Sequence, residues 1–234
     1  MMDFQKITLS QTNCFLLLTA NGCLLVDCGN ACDEHALTLK LKKLGLSPSS
    51  IQYLLLTHHH SDHCGLLSFL VSANPNIKII MSQKCARYLE LGFNHVQPEE
   101  KYASTPLQYA ITLFQKLSGK LSNTFLPYYA RSGDILLGEE FADLLPIAGI
   151  DGIILPTPGH TEDSISLVVG ENAFVGDAAR TLLNFLGAAY EPILIYNRNV
   201  CLKSWERIID TRARLVHPSH GESFDIKHIH RVQT

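Results

Sequence analysis

Residues 57–65 read THHHSDHCG, placing His58, His59, His60 and His63 within six positions, with Asp62 among them. The chain has 11 histidines in 234 residues, so more than a third of its imidazoles sit in one short stretch. Neutral imidazoles and carboxylates together are the donors that hold divalent transition metals. His58 and His60 stand at i and i+2, and on an extended segment such residues point to one side, so they can share an ion. Asp62 and His63 follow as the chain turns, and they can reach a second position nearby. A histidine tag would be terminal and would lack the ordered Asp-His pair, so the run reads as a metal site.

Two ions need more donors. His160 in TPGHT, Asp177 in FVGD and His220 in VHPSHG each close an apolar run. Each is flanked by Gly or Pro, which favours a loop that projects a side chain. Five imidazoles and two carboxylates could then form a two-metal centre. His35, His95, His228 and His230 read as surface residues. His217, inside the last apolar run, reads as a packed histidine.

These donors must be held by strand ends. Apolar runs at 12–19 and 23–27 flank Ala-Asn-Gly, a hairpin signal, so the first strands are expected to be antiparallel. Residues 33–45 carry helical spacing, early acids, late lysines and a C-terminal Gly45. A strand at 50–57 leads into the histidine cluster, a helix is expected over 64–74 and a strand over 76–82. This strand–helix–strand rhythm points to α/β layering. Residues 83–133 break it and read as a mostly helical insertion with an aromatic-rich end. Strands resume at 149–157, 164–170 and 172–177. A helix at 199–210 and a strand at 214–220 close the pattern, all within a single domain spanning 1–234.

Composition narrows the function classes. Hydrophobic residues make up 46% and charged residues 18%, a globular balance. The net charge of −3 favours neither nucleic acid nor membrane as partner. Seven cysteines without a CxxC pair fit a reduced, cytoplasmic setting. No secretory signal and no apolar run of membrane-spanning length is visible.

THHHSDHCG resembles the His-x-His-x-Asp-His signature of the metallo-β-lactamase-fold hydrolases. PGHT, VGD and PSHG resemble the later motifs of that superfamily, in its order, and LLVDCG resembles its early Asp-x-Gly strand end. The stretch NVCLKSWERIIDTRARLVHPSHG looks like its last helix–strand–ligand unit. The resemblance covers most of residues 12–222, excluding the insertion. It implies a four-layer α/β/β/α sandwich, two mixed β-sheets flanked by helices, with the metals where strand ends converge. It implies one ion held by His58, His60 and His160, a second by Asp62, His63 and His220, and Asp177 bridging them. Asp27 would orient ligands or their loop, and His59 would point away. The bridging Asp177 argues against class B β-lactamases, and His60 stands where flavin-linked di-iron relatives carry glutamate. The pattern is nearest to glyoxalase II-like thioesterases, lactonases and tRNA-processing ribonucleases, although the short tail argues against a dedicated glutathione-thioester role.

The resemblance implies a hydrolase in which a hydroxide bridging two divalent ions attacks a thioester, lactone or other ester. Zinc is expected first, with iron or manganese as alternatives. Asp62 would also accept the nucleophile's proton, and no serine or cysteine nucleophile is needed. Tyr102, Phe125, Tyr128 and Tyr129 of the insertion are expected to line a small-molecule pocket at the rim, with Arg180 meeting an anionic group. A phosphodiesterase or ribonuclease is the alternative within the fold, disfavoured by the lack of basic surface. A metal-bearing sensor that binds a ligand without turning it over is the non-enzymatic one.

Overall fold

The apolar runs become strands of two six-stranded sheets. The computed structural model describes residues 4–19, 22–118, 123–187 and 189–229. The first half supplies β1 (Phe4–Thr8), β2 (Asn13–Thr19), β3 (Gly22–Val26), β4 (Ile51–Leu55), β5 (Lys78–Ser82) and β6 (Lys101–Tyr102). The second half supplies β7 (Ile135–Leu137), β8 (Ala142–Asp143), β9 (Gly152–Pro156), β10 (Ile165–Val169) and β11 (Asn172–Gly176). It also supplies β12 (Leu194–Ile195), β13 (Leu215–Pro218) and β14 (Phe224–Asp225). The helices are α1 (Glu34–Lys43), α2 (Ser61–Cys64), α3 (Leu67–Ala73), α4 (Gln83–Leu89), α5 (Thr105–Ser118), α6 (Leu145–Ala148) and α7 (Arg198–Ile209).

Sheet one runs β1-β2-β3-β4-β5-β7 and sheet two runs β14-β13-β11-β10-β9-β8. Both are mixed. β2 pairs antiparallel with β1 and β3, while β3, β4, β5 and β7 are parallel. In sheet two only β11 and β13 pair in parallel. Ala20 and Asn21 of the expected hairpin turn lie outside the described residues, but Thr19 pairs with Gly22 across it.

Period-2 alternation sorts the strand side chains between layers. Phe15, Leu17, Leu24, Val26, Leu55 and Ile80 of sheet one meet Ile154, Ile165, Leu167, Val169 and Phe174 of sheet two in a central apolar layer. Cys14, Leu16, Leu25, Leu54 and Ile79 face the other way, onto Leu37 and Leu41 of α1, Leu67 and Leu70 of α3, and Cys85 and Leu89 of α4. On the far side, Leu155, Val168, Val175 and Val216 pack on Cys201, Trp205 and Ile208 of α7. These three interfaces make the expected four layers, α/β/β/α.

Three local expectations change. β1 was not visible in the sequence, because Phe4–Thr8 is an edge strand with only Ile7 fully buried. The helix expected over 64–74 begins later, as α3, and is preceded by the separate short helix α2, from which Gly65 and Leu66 part it. A Cβ on Gly65 would come within 2.5 Å of the Ala31 nitrogen, so the chain there is set by close backbone approach. Within 83–133, α4 belongs to the helical layer on sheet one, α5 is the longest helix, and residues 90–100 carry only an isolated bridge at Phe93.

Candidate metal centre

The ends of β4, β9, β11 and β13 open at one edge of the sandwich, and the seven expected donors meet there. Three overlapping groups each place their donor atoms within 4.8 Å of one another: His58, His60 and His160; His58, His63 and Asp177; Asp62, His63 and His220. His160 Nε2 lies 3.1 Å from His60 Nδ1. His220 Nε2 lies 3.2 Å from Asp62 Oδ2 and 3.3 Å from Asp177 Oδ1. His63 Nε2 lies 3.6 and 3.5 Å from the same two oxygens. The other oxygen, Asp177 Oδ2, lies 3.6 Å from His160 Nε2. Asp177 thus turns one oxygen to each donor group.

Glycine explains how donors from two sheets come this close. Gly176, before Asp177, has φ +54°, and a Cβ there would lie 2.5 Å from Thr57 Oγ1 of the other sheet. Gly159, before His160, has φ +142° and lies against α7, where a Cβ would come within 2.4 Å of the Cys201 Cα. The two sheets are also tied at this edge by the Ile165 N–H donating to the Thr57 carbonyl at 2.8 Å.

The imidazoles are held from behind. His160 Nδ1–H donates to the Leu194 carbonyl at 2.7 Å, and His220 Nδ1–H donates to the Gln11 carbonyl at 2.9 Å. His63 Nδ1–H donates to Asp27 Oδ2 at 2.8 Å. Thr57 Oγ1–H donates to Asp27 Oδ2 at 2.8 Å and accepts from His58 Nδ1–H at 3.1 Å. Each of these four rings therefore turns its Nε2 to the centre, while His60 presents Nδ1. Asp27 is fully buried, with φ +56°, and also accepts the Thr57 N–H at 2.8 Å and the Ser219 hydroxyl at 3.2 Å.

Electrostatics divides the site. Burial, reinforced by neighbouring imidazoles, pushes His58 and His60 well below the usual histidine range, which keeps them neutral. Burial works against charge on His63 too, but Asp62, Asp27 and Asp177 raise it to about 9. His220 is likewise raised against burial, by Asp177 and Asp62. Burial opposes ionisation of both carboxyls, yet His63 and His220 draw Asp62 and Asp177 below the usual carboxylate range. A cation entering beside Asp62, His63 and His220 takes the place of these imidazolium protons, so its binding releases protons.

The donor set fits divalent cations. His58 Nε2, His63 Nε2 and Asp177 Oδ1 are buried without a hydrogen-bond partner, an arrangement that costs stability unless another group completes it. Asp177 Oδ1 is within ion-pair range of His63 and His220 but aligned for a hydrogen bond with neither.

The expected rim pocket is corrected at Phe125 and Tyr128. Phe125 and Tyr128 pack into the outer core of sheet one, where the Tyr128 hydroxyl donates to Asp134 at 2.5 Å. Backbone bonds from Phe125 to Gly92 and from Tyr128 to Leu89 hold this stretch on the end of α4 and the turn after it. Tyr129 is 67% exposed. Tyr102 lies on β6, paired with Leu194, whose carbonyl orients His160. Arg180 is buried and its Nη1 donates to the Leu182 carbonyl. What covers the histidines is an unforeseen part of the insertion: Asn94 Oδ1 accepts the Ser61 N–H at 2.7 Å, and His95 meets His59.

Sequence reasoning also missed Thr12, whose hydroxyl donates to Asp62 Oδ2 at 3.2 Å, and Asp163, which bonds His59 at 2.9 Å. The only signal for Asp163 was an acid three residues beyond His160. His217 is packed, as expected, among Phe4, Phe15 and Phe174.

Comparison with known proteins agrees with this architecture. A profile of the metallo-beta-lactamase superfamily matches residues 7–220. The uncharacterized protein YobT of Bacillus subtilis is 28% identical over 219 residues, covering 90% of this chain and 83% of YobT. The probable metallo-hydrolase YqjP of the same organism is 24% identical over 229 residues, covering 88% of this chain and 66% of YqjP. A metallo-beta-lactamase family protein of Thermus thermophilus, TTHA1429, superposes with a TM-score of 0.64 at 22% identity, covering 97% of this chain and 76% of that one. With its profile match running from β1 to the last donor and its His and Asp side chains gathered at one sheet edge, the chain belongs to the metallo-beta-lactamase superfamily.

Proposed function

We propose that the protein is a dinuclear-metal hydrolase acting on a small-molecule thioester, lactone or other ester. The observation that carries this reading is Asp177, whose two oxygens face two different donor groups. His58, His60 and His160 would hold one ion, Asp62, His63 and His220 the other, and Asp177 both. Two divalent ions supply Lewis acidity and lower the pKa of water towards neutrality. The chain's own part is orientation. Backbone carbonyls and the Asp27–Thr57 pair fix the rings of His58, His63, His160 and His220, and the neutral His58 and His60 need lose no proton to ligate. Asp62, whose Oδ2 the Thr12 hydroxyl holds, would also accept a proton from the attacking nucleophile.

Zinc is the proposed metal, since a His-rich site with two carboxylates suits it, with iron or manganese as alternatives. Among the described residues no helix is long and apolar enough to cross a membrane. All seven cysteines are free and six are buried, which supports a reducing, cytoplasmic setting. The name of YqjP, a probable metallo-hydrolase, supports the reaction class. Metal analysis of the purified protein should give close to two ions per chain, with less in His60→Ala and Asp177→Ala. Unchanged content in both variants refutes the ligand assignment. Metal-reconstituted protein, assayed on thioesters, lactones, β-lactams and bis-aryl phosphates, should turn over the first two. Cleavage confined to the phosphates moves the assignment to a phosphodiesterase.

A further inference from the structure

His59 stands between two donors and turns the opposite way. Its Nδ1–H donates to Asp163 Oδ1 at 2.9 Å, and its backbone N–H donates to Asp163 Oδ2 at 2.9 Å. Neither side chain has any exposure. Asp163 lies three residues beyond His160, so a single carboxylate grips the loop of His58 and His60 from the loop of His160. His59 Nε2 accepts the His95 N–H at 3.1 Å and lies 3.3 Å from the His95 carbonyl. The Tyr88 ring stacks on His95 at 4.8 Å and lies 4.6 Å from His59. The Asp163 carbonyl accepts the Ser82 hydroxyl at 2.9 Å, anchoring the same residue to the end of β5.

A carboxylate is kept in so dry a place only where its oxygens are satisfied, and here each accepts from His59, one from its ring and one from its backbone. That geometry restrains the loop between His58 and His60 more tightly than an apolar contact would, because hydrogen bonds are directional. We propose that Asp163, acting through His59, is a positioning residue that sets the spacing of His58, His60 and His160 without touching any of them. The inference rests on the metal-centre reading above. It gives the all-histidine side of the site a carboxylate brace, as Asp27 gives His63 on the other side.

The test separates the two halves of the site. In a His220→Ala background the remaining tight site is the one built on His58, His60 and His160, and in a His160→Ala background it is the one built on Asp62, His63 and His220. Zinc affinity is read by competition with a chromophoric chelator, and folding by circular dichroism. Asp163→Ala should weaken zinc binding about 10–100-fold in the first background, the range for lost partners of metal ligands, and less than about 3-fold in the second. Asp163→Asn should return the first value to within about 3-fold of its parent. Its oxygen can accept the His59 N–H and its amide can donate to Nδ1, while the His59 Nε2–H then faces the His95 carbonyl, 3.3 Å away. Equal losses in both backgrounds, no loss in the first, or an Asn variant as weak as Ala overturns the proposal. Should Asp163→Ala not fold, His59→Ala keeps the backbone bond and should show the same asymmetry with a loss of about 3–10-fold. Wild-type protein that takes up no zinc would defeat the metal-centre reading itself.

Discussion

Replacing Asp27 separates fold stability from metal binding. Its carboxylate accepts two N–H groups, from Thr57 and from His63 Nδ1, each at 2.8 Å. It also accepts the hydroxyls of Thr57 and Ser219, which can rotate to other partners. Each stranded buried N–H costs about 1–3 kcal/mol. Alanine at φ +56° adds about 1 kcal/mol, because it lacks the short polar side chain that eases the left-handed region. Loss of a buried negative charge offsets part of this. Asp27→Ala should therefore destabilise metal-free protein by about 4 kcal/mol in urea titration. Asp27→Asn tolerates the backbone and keeps an acceptor for the Thr57 N–H, so it should cost only about 1–2 kcal/mol. Its amide donates to His63 Nδ1, however, and drives the ring proton onto Nε2, the atom that must stay bare. Zinc affinity should then fall about 10–100-fold in a variant that is nearly as stable as wild type. An alanine cost below about 1 kcal/mol, or an asparagine variant with unchanged zinc affinity, would show that Asp27 does not organise this edge.

Three further outcomes are expected. Gly159→Ala should lose about 3 kcal/mol in urea titration, because its Cβ would meet the α7 backbone, whereas Gly149→Ala, also at positive φ but with open space around it, should lose about 1 kcal/mol. His217 is buried among aromatic rings, and burial, then Lys6, lowers its pKa to about 4, so the unfolded chain takes up protons that the folded one refuses. Its contribution is complete above about pH 6.5 and falls as pH drops towards 4; wild type should lose about 2 kcal/mol more than His217→Phe between pH 7.5 and 5. Chelator treatment should lower the melting temperature, with about 4 kcal/mol regained at free zinc about 1,000-fold above Kd; an unchanged melting temperature would mean no ion binds the folded state preferentially.

The donors were legible because metal chemistry restricts residue type and Gly or Pro marks strand ends. His58, His60, Asp62 and His63 fall within six positions, and His160, Asp177 and His220 each follow an apolar run. The four layers were legible through the resemblance and the strand–helix–strand rhythm, whereas the unbroken apolar run Cys14, Phe15, Leu16 and Leu17 hides the fact that successive side chains go to different cores. What escaped was set by contacts between distant segments. Phe125 and Tyr128 have the composition of pocket residues, and only the backbone bonds to Gly92 and Leu89 show that they belong to a core. Asp163 and His59 are 104 positions apart, and nothing local distinguishes that aspartate from a solvated one. β1 was hidden because an edge strand buries too little to leave a pattern.

The central apolar layer has a role beyond cohesion. His58, His60, Asp62 and His63 ride on sheet one, while His160, Asp177 and His220 ride on sheet two, so the thickness of the packing between Phe15 and Phe174 acts as a ruler for the distance between the two halves of the cage. Adding or removing a methylene there, remote from every donor, shifts one half against the other by fractions of an ångström. Cations differ in bond length and in tolerance of distorted geometry, so the choice of ion can be tuned from the interior of the sandwich with the donor residues left unchanged.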